Sequence, residues 1–358
     1  MKVSVVIVSY NARYYLEQCL YSVQAALERY GGEIIVVDND SPEKPIEQIR
    51  DKFPRVNFIE SPINLGFGRA NNLGVKKARG EYVLILNPDT IVSETIFDEI
   101  LVFAEKQEKL GALGVRLVDA NGKFHPECKR NIPTLGNTFG KLFGTLIDKG
   151  GARGYYKSEV GEFDIAQAEI LVGAFMLLKK EVYQKVGGFD ERYFMYGEDI
   201  DLSYTLTLNG YENYYFGKST AIHYKGESTR KDKKYLKIFF GAMRLFVDKY
   251  YKKNWFKYAL FILGLKFRYV WAYLNGVFKP SDKIIQSKLD KEQLLTVKSK
   301  GEITKNSAQS YLLDGTVFTH REMIQIISNY TSPVSKFYIQ PKNMNVILSS
   351  DGVEMISE

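Results

Sequence analysis

Apolar, β-branched runs alternate through the first third of the chain with stretches whose apolar positions recur at helical spacing. Val3 to Val8 has the pattern of a strand buried on both faces. Leu16, Leu20, Val23 and Leu27 then mark one face of a helix, with Asn11 as its expected cap and Gly31-Gly32 as its end. Glu33 to Val37 reads as a second strand and runs into Asp38-Asn39-Asp40-Ser41-Pro42. A helix and a third strand, Val56 to Glu60, follow. The run Asn64 to Gly74 opens a helix that stops at Gly80, and Asn71 and Asn72 are expected to hydrogen-bond its start. Tyr82 to Leu86 is a fourth strand, ending in Asn87-Pro88-Asp89. This alternation predicts an α/β fold with a doubly wound, mostly parallel sheet. Ligands of such sheets bind at the carboxyl ends of the strands, where Asp38, Asp40 and Asp89 fall.

Further strands are expected at Gly111 to Val118, before an Asp119-Ala120-Asn121-Gly122 turn, and at Ile170 to Leu178, which carries Gly173. Between them Pro126 to Gly161 is glycine-rich and weakly patterned, and reads as a mobile loop over the site. The stretch Phe194-Met195-Tyr196-Gly197-Glu198-Asp199-Ile200-Asp201-Leu202 sets three carboxylates within four residues. A short helix over Ile200 to Leu208 follows, stopped by Asn209-Gly210. Acidic side chains suit a helix start on dipole grounds alone. A carboxylate fixed on a rigid element is also what a general base needs. A last strand of this part ends in Ala221-Ile222-His223.

Past Lys225 the pattern changes. Tyr235 to Phe278 mixes apolar runs with Lys and Arg, and no run reaches the ~18 apolar residues of a spanning helix. Amphipathic helices are expected there. The net charge of +7 is concentrated in this part: Lys225 to Lys279 holds 14 basic and 3 acidic residues, a local +11, which leaves −4 for the rest. From Ser281 a lysine- and serine-rich stretch leads into a small unit, with a strand and turn at Tyr311 to Thr316, a helix at Arg321 to Asn329 and strands from Phe337 to Ile356. The expected division is therefore 1–228, an α/β domain; 229–280, a basic amphipathic helical segment; and 281–358, a small α+β appendage. The N-terminal apolar run lacks the length and cleavage pattern of a signal peptide, and Cys19 and Cys128 make neither a disulfide framework nor a metal spacing. The cytosol is the expected compartment.

Two nucleotide-binding look-alikes drop out. Gly66-Phe67-Gly68 begins like a dinucleotide fingerprint, but Asn71 stands where the third glycine belongs and the motif does not follow the first strand. The loop after the first strand, Ser9-Tyr10-Asn11-Ala12-Arg13, has no glycine to cradle phosphate. The motifs Val5 to Asn11, Val36-Val37-Asp38-Asn39-Asp40-Ser41, Asn64 to Gly74, Asn87-Pro88-Asp89, Gly187-Gly188-Phe189-Asp190-Glu191 and Glu198 to Leu202, in this order, resemble the family 2 glycosyltransferases of GT-A fold. Within them the rhamnosyltransferase-like branch of bacterial cell-surface polysaccharide synthesis is most similar. The resemblance runs from about Val3 to about Ser228.

The resemblance implies roles residue by residue. Asp38 would read the pyrimidine edge of a nucleotide, and Asp40 would lie by the ribose or diphosphate. Asp89 would hold a divalent metal, Mg2+ or Mn2+, with Asn87 where the family's first Asp stands. His223 would be a further metal ligand, and Asp199 the catalytic base. Ser9, Asn11, Asn64, Gly66 and Asn71 would join the donor site, and Glu198 and Asp201 the loop towards the acceptor. The expected activity is inverting, metal-dependent transfer of a sugar from a dTDP- or UDP-sugar, dTDP-rhamnose foremost, to a saccharide or lipid-linked acceptor. It would run on the cytosolic face of the inner membrane, the basic helices lying on the membrane surface or pairing two copies as a homodimer. The alternative is an inactive nucleotide- or glycan-binding module. Nucleic acid is not an expected partner, because the +11 segment is too apolar between its charges.

Overall fold

The computed structural model describes residues 1–28, 30–134, 154–224, 233–274, 294–303, 310–330 and 335–356. The chain begins β1 (Val3–Ser9), α1 (Arg13–Leu27), β2 (Glu33–Asp38), α2 (Pro45–Ile49), β3 (Asn57–Glu60), α3 (Phe67–Lys77) and β4 (Tyr82–Leu86). It continues with β5 (Thr90–Ile91), α4 (Ile96–Glu105), β6 (Leu110–Val118), β7 (Ile165–Gln167), β8 (Phe175–Lys179), α5 (Lys180–Lys185), α6 (Glu198–Leu208) and β9 (Glu212–His223). Among the described residues these strands form one nine-stranded sheet in the order β3-β2-β1-β4-β8-β6-β9-β5, with β7 on β9. The first four strands are parallel neighbours, and β8 runs antiparallel to β4 and β6. All seven residues of β1 and all five of β4 are buried, as helices on both faces require.

Three local readings differ from the expectation. Asn11 does not cap α1. The N-cap position is Ala12, with no side-chain cap, and Asn11 takes φ 50°. Its amide donates to Ser41 Oγ at 2.9 Å, so the turn after β1 is spent on joining the loop after β2. The strand drawn over Ile170 to Leu178 is β8 alone, because the Gly173 amide leaves the ladder for Asp199 and Ile170 pairs with Arg130 instead. The middle of the expected loop over Pro126 to Gly161 lies outside the described residues, but its two flanks are anchored. Arg130 bridges both Tyr156 and Ile170, and Lys129 Nζ donates to the Lys157 carbonyl at 2.8 Å.

α7 (Lys233–Tyr250) and α8 (Trp255–Leu274) form the expected helical pair; residues 225–232, which hold the start of that segment, and 275–293 lie outside the described residues. No helix among the described residues is long and apolar enough to cross a membrane. Phe256, Leu260, Leu263, Phe267, Val270 and Leu274 are all exposed. Their alternating four- and three-residue spacing makes one stripe along α8.

β10 (Leu294–Val297), β11 (Ser310–Asp314), α9 (His320–Asn329), β12 (Lys336–Gln340), β13 (Val346–Ser349) and β14 (Gly352–Met355) make the small C-terminal unit, whose strands lie in that order in a second sheet. It shares a core with the main sheet. Val297, Tyr311, Phe337 and Leu348 cluster with Tyr15, Ile91, Val118, Ile222 and Tyr224. Hydrogen bonds fasten the seam, from Tyr15 Oη to the Ser349 carbonyl at 3.1 Å and from the Phe337 amide to Asn121 Oδ1 at 3.0 Å. The small unit thus backs the strand ends that carry Asp89 and His223.

Candidate active site

Three groups of polar residues meet the carboxyl ends of the strands. The first is built on β1 and β2. The buried Asp38 carboxylate accepts from Ser41 Oγ at 2.6 Å and from the Ser41 amide at 3.1 Å. Burial raises its pKa, and the Ser41 hydrogen bonds offset only part of that. Asn39 shapes the next loop: its Oδ1 accepts from the Leu65 amide at 2.7 Å, and its Nδ2 donates to Asn64 Oδ1 at 3.1 Å. Asn64 Oδ1 also accepts from the Gly66 amide at 3.0 Å. Gly66 has φ 78°, and a Cβ there would lie 2.1 Å from the Phe194 carbonyl oxygen. This close approach explains the glycine and brings the Asn64–Gly66 loop onto the segment that leads into α6. Asn11, Asp40 and Tyr196 all adopt left-handed backbone conformations, which non-glycine residues hold only where surrounding contacts enforce them.

The second group lies past β4. β5 pairs with β9 so that Thr90 stands opposite His223. Asp89 Oδ1 then lies 3.3 Å from His223 Nε2, and Asn87 Nδ2 3.2 Å from the same nitrogen. Asn87 Oδ1 is buried and has no hydrogen-bond partner among the described residues. No cluster of three or more His, Cys, Asp or Glu suited to a metal occurs among them. The set on offer is one carboxylate, one imidazole and one orphaned amide oxygen, which fits Mg2+ or Mn2+ only if a ligand supplies further oxygens. The side chains of Ser9, Asn71 and Glu198 likewise carry a buried oxygen without a partner among the described residues. Such groups are uncommon in folded proteins, where a water, an ion or a functional role usually accounts for them.

The third group is the start of α6, which begins at Glu198, with Gly197 rather than a capping side chain before it. Asp199 Oδ2 accepts from Arg130 Nη2 at 2.7 Å and from the Gly173 amide at 3.2 Å. The same Arg130 Nη2 donates to the Leu171 carbonyl at 2.6 Å. Arg130 is thus a fixed, buried cation that orients the carboxylate. Asp201 faces the other way, into a buried contact with Lys249 Nζ at 2.8 Å and Tyr250 Oη at 2.9 Å. It braces α6 against α7. Asn71 Nδ2 does bond the helix start, at the Phe67 carbonyl. Asn72 instead crosses to the Gly187–Glu191 turn, where its amide group bonds both the amide and the carbonyl of Phe189.

Glu198 is buried next to Asp199. Burial, with the Asp199 charge second, pushes its carboxyl up from 4.5 to about 8. Between those values the native state keeps a proton that the unfolded chain has released, so folding stability falls as pH rises through the window. Glu198→Gln is expected to flatten that fall when Tm is scanned from pH 5 to 9; equal slopes in the two proteins would contradict the buried, protonated acid.

Arg130, Asn39 and Lys249 are site residues that sequence reasoning passed over. Asn39 lay inside a quoted motif, Arg130 had no local signal, and Lys249 was expected to face lipid headgroups with its basic neighbours, whereas it turns inward onto Asp201 and Asp190. An open hollow of about 500 Å3 lined by Met1, Arg79, Glu81 and Lys180 lies at the opposite, amino-terminal ends of β1 and β4 and contains none of these groups.

The family model "Glycosyl transferase family 2" matches residues 4–187. Over 239 residues the chain is 28% identical to N-acetylglucosaminyl-diphospho-decaprenol L-rhamnosyltransferase of Mycobacterium tuberculosis, covering 64% of this chain and 78% of that protein. It is also 28% identical over 238 residues to rhamnosyltransferase WbbL of Escherichia coli K12, covering 64% and 85%. Among solved structures, residues 1–349 of S. aureus TarS give a TM-score of 0.47 at 18% identity, covering 69% of this chain and 64% of that one. The mannosyltransferase PcManGT of Pyrobaculum calidifontis, in complex with GDP-Man and Mn2+, gives 0.48 at 16% identity, covering 77% and 76%.

Proposed function

The chain belongs to glycosyl transferase family 2, and from that premise we propose that it transfers rhamnose from dTDP-rhamnose, with inversion, to a lipid-linked saccharide in cell-surface polysaccharide synthesis. It is a glycosyltransferase with the GT-A fold. The sugar and the acceptor class are drawn from the two rhamnosyltransferase relatives. The observation that carries the mechanism is a separation of roles. Asp89 is matched with His223 across β5 and β9, while Asp199 is held by Arg130 and Gly173 at the start of α6.

In this reading Asp38 and the Asn39-shaped loop receive the nucleotide, and Ser9, Asn11, Asp40, Asn64, Gly66 and Asn71 line or shape the same cleft. Asp89, His223 and the Asn87 amide oxygen would hold a divalent metal, which when bound neutralises the charge on the leaving diphosphate. Asp199 accepts the proton of the acceptor hydroxyl as its oxygen bonds to the anomeric carbon. The bond from that carbon to the diphosphate oxygen breaks, and the diphosphate departs with the electron pair. The test is a panel of nucleotide sugars with Mg2+ or Mn2+, read as nucleotide release. dTDP-rhamnose should be turned over fastest; release from none of them would contradict the activity.

Attachment of α8 to the cytosolic face of the membrane is part of this reading. The exposed stripe Phe256 to Leu274 would enter the interface, with Trp255 at its end, and Lys252, Lys253, Lys257 and Lys266 would meet anionic headgroups. A like-charged copy of the chain would be repelled by the same residues. The chain should float with anionic liposomes and be released by high salt with mild detergent, and Leu263→Glu/Phe267→Glu should stay behind. A discrete soluble dimer that ignores liposomes would contradict it.

A further inference from the structure

We propose that Lys249 is a positioning residue through which the α7–α8 pair sets the geometry of Asp199, an inference that rests on Asp199 being the base. Lys249 Nζ lies 2.9 and 2.8 Å from the two oxygens of Asp201 and 2.9 Å from Asp190 Oδ2. Three segments therefore converge on one ammonium: α7, the first turn of α6, and the Gly187–Glu191 turn. Asp201 is 1% exposed, and it also accepts from Tyr250 Oη at 2.9 Å and Tyr193 Oη at 3.3 Å. A carboxylate so deeply buried is tolerable only because it is paired and hydrogen-bonded.

Tyr251, the residue after α7, reaches the segment that carries the partner of Asp199. Tyr251 Oη donates to the Pro133 carbonyl at 2.8 Å, three residues beyond Arg130. Phe246 packs with Ile170 and Ile200, with Ile132 against the cluster. Ile170 pairs with Arg130, and Ile200 follows Asp199 directly. α7 and the residue after it thus contact neighbours of both halves of the Arg130–Asp199 pair.

A buried ion pair is a weak source of stability, since apolar groups of similar volume do as well. Its value here is geometric. Asp201 sits two residues after Asp199 in the same helical turn, so whatever holds Asp201 in register holds the base. Displacing a catalytic group by about 1 Å can cost ~10²-fold in rate. α7 is also the helix on which α8 packs, through Val247, Phe261 and Leu265. A surface that fixes the outer stripe of α8 therefore steadies α7 and, through Lys249, the acidic turn.

The experiment compares full-length wild type with Lys249→Met/Asp201→Asn, which removes the pair and leaves Asp190 to Arg192, and with Lys249→Arg, which keeps the charge. Asp199→Asn is the reference. Steady-state kcat and KM for the donor are read with Tm. The double variant should stay folded, hold KM within about twofold and lose about tenfold or more in kcat, a split that marks loss of transition-state geometry rather than of binding. Lys249→Arg should keep most of the kcat. Wild-type kcat in a folded double variant would overturn the proposal, as would a rise in KM alone. If the double variant does not fold, Tyr250→Phe is read instead: a fall in kcat at constant KM supports the coupling, and unchanged kcat overturns it. Should Asp199→Asn itself turn over normally, the base assignment fails; a dead Asp199→Asn beside a normal double variant sinks the coupling alone.

Discussion

Asp199→Asn should lower kcat by ~10²-fold or more while leaving KM for the donor nearly unchanged, because the amide keeps the shape of the carboxylate and loses its capacity to take a proton. The geometry makes this a demanding experiment. Asp199 is also the counter-charge of Arg130, a side chain only 7% exposed, and breaking a buried ion pair by removing one partner can cost ~3–5 kcal/mol. The variant should therefore melt lower as well, and activity has to be expressed per folded molecule. The two effects separate in Arg130→Lys. That substitution keeps a cation near the carboxylate but gives up the simultaneous hold on Asp199 and the Leu171 carbonyl. It should melt close to wild type and lose a smaller part of kcat than Asp199→Asn does. Near-normal turnover in Asp199→Asn would move the base elsewhere. Neither acidic neighbour fits that role, since burial keeps the Glu198 carboxyl protonated and Asp201 is committed to Lys249 and Tyr250.

Asp89→Ala should raise the divalent metal concentration needed for half-maximal activity by ~10-fold or more, and EDTA should abolish transfer by the wild-type chain. Among the described residues one carboxylate lies at this point, with Asn87 in place of a second, so the loss of Asp89 leaves His223 and an amide oxygen there against a dication. His223→Ala should raise the requirement less, because an imidazole contributes no charge. Unchanged metal dependence in His223→Ala would make His223 a structural neighbour of Asp89, and a wild-type chain indifferent to EDTA would contradict a metal at this site.

The parallel strands were legible because each is a short apolar run that ends in polar residues, so Asp38, Asp40 and Asp89 could be placed at strand ends before any coordinates. The acidic turn was legible for the same kind of reason, as a local cluster opening a helix. Arg130 was not, because its role depends on pairing with Ile170, forty residues away, inside a stretch with no hydrophobic period. Asn11 looked like a cap by residue type, but the loop after β2 competes for its backbone and wins. Lys249 belonged to a basic segment whose charges read collectively as a surface-facing set; that one of them points inward is decided by the tertiary position of Asp201. The shared core of the C-terminal unit was equally hidden, since Tyr311 and Phe337 show only that they are buried, not that they are buried against Ile91 and Ile222.

The proposed reaction is a single displacement at the anomeric carbon, driven by one base. The anomeric configuration of the product, read by NMR on material made from the donor that the panel identifies, tests it most directly. One displacement with Asp199 as base predicts that every product linkage has the configuration opposite to that of the donor. Retained configuration would mean two displacements or front-face attack, and would contradict the account.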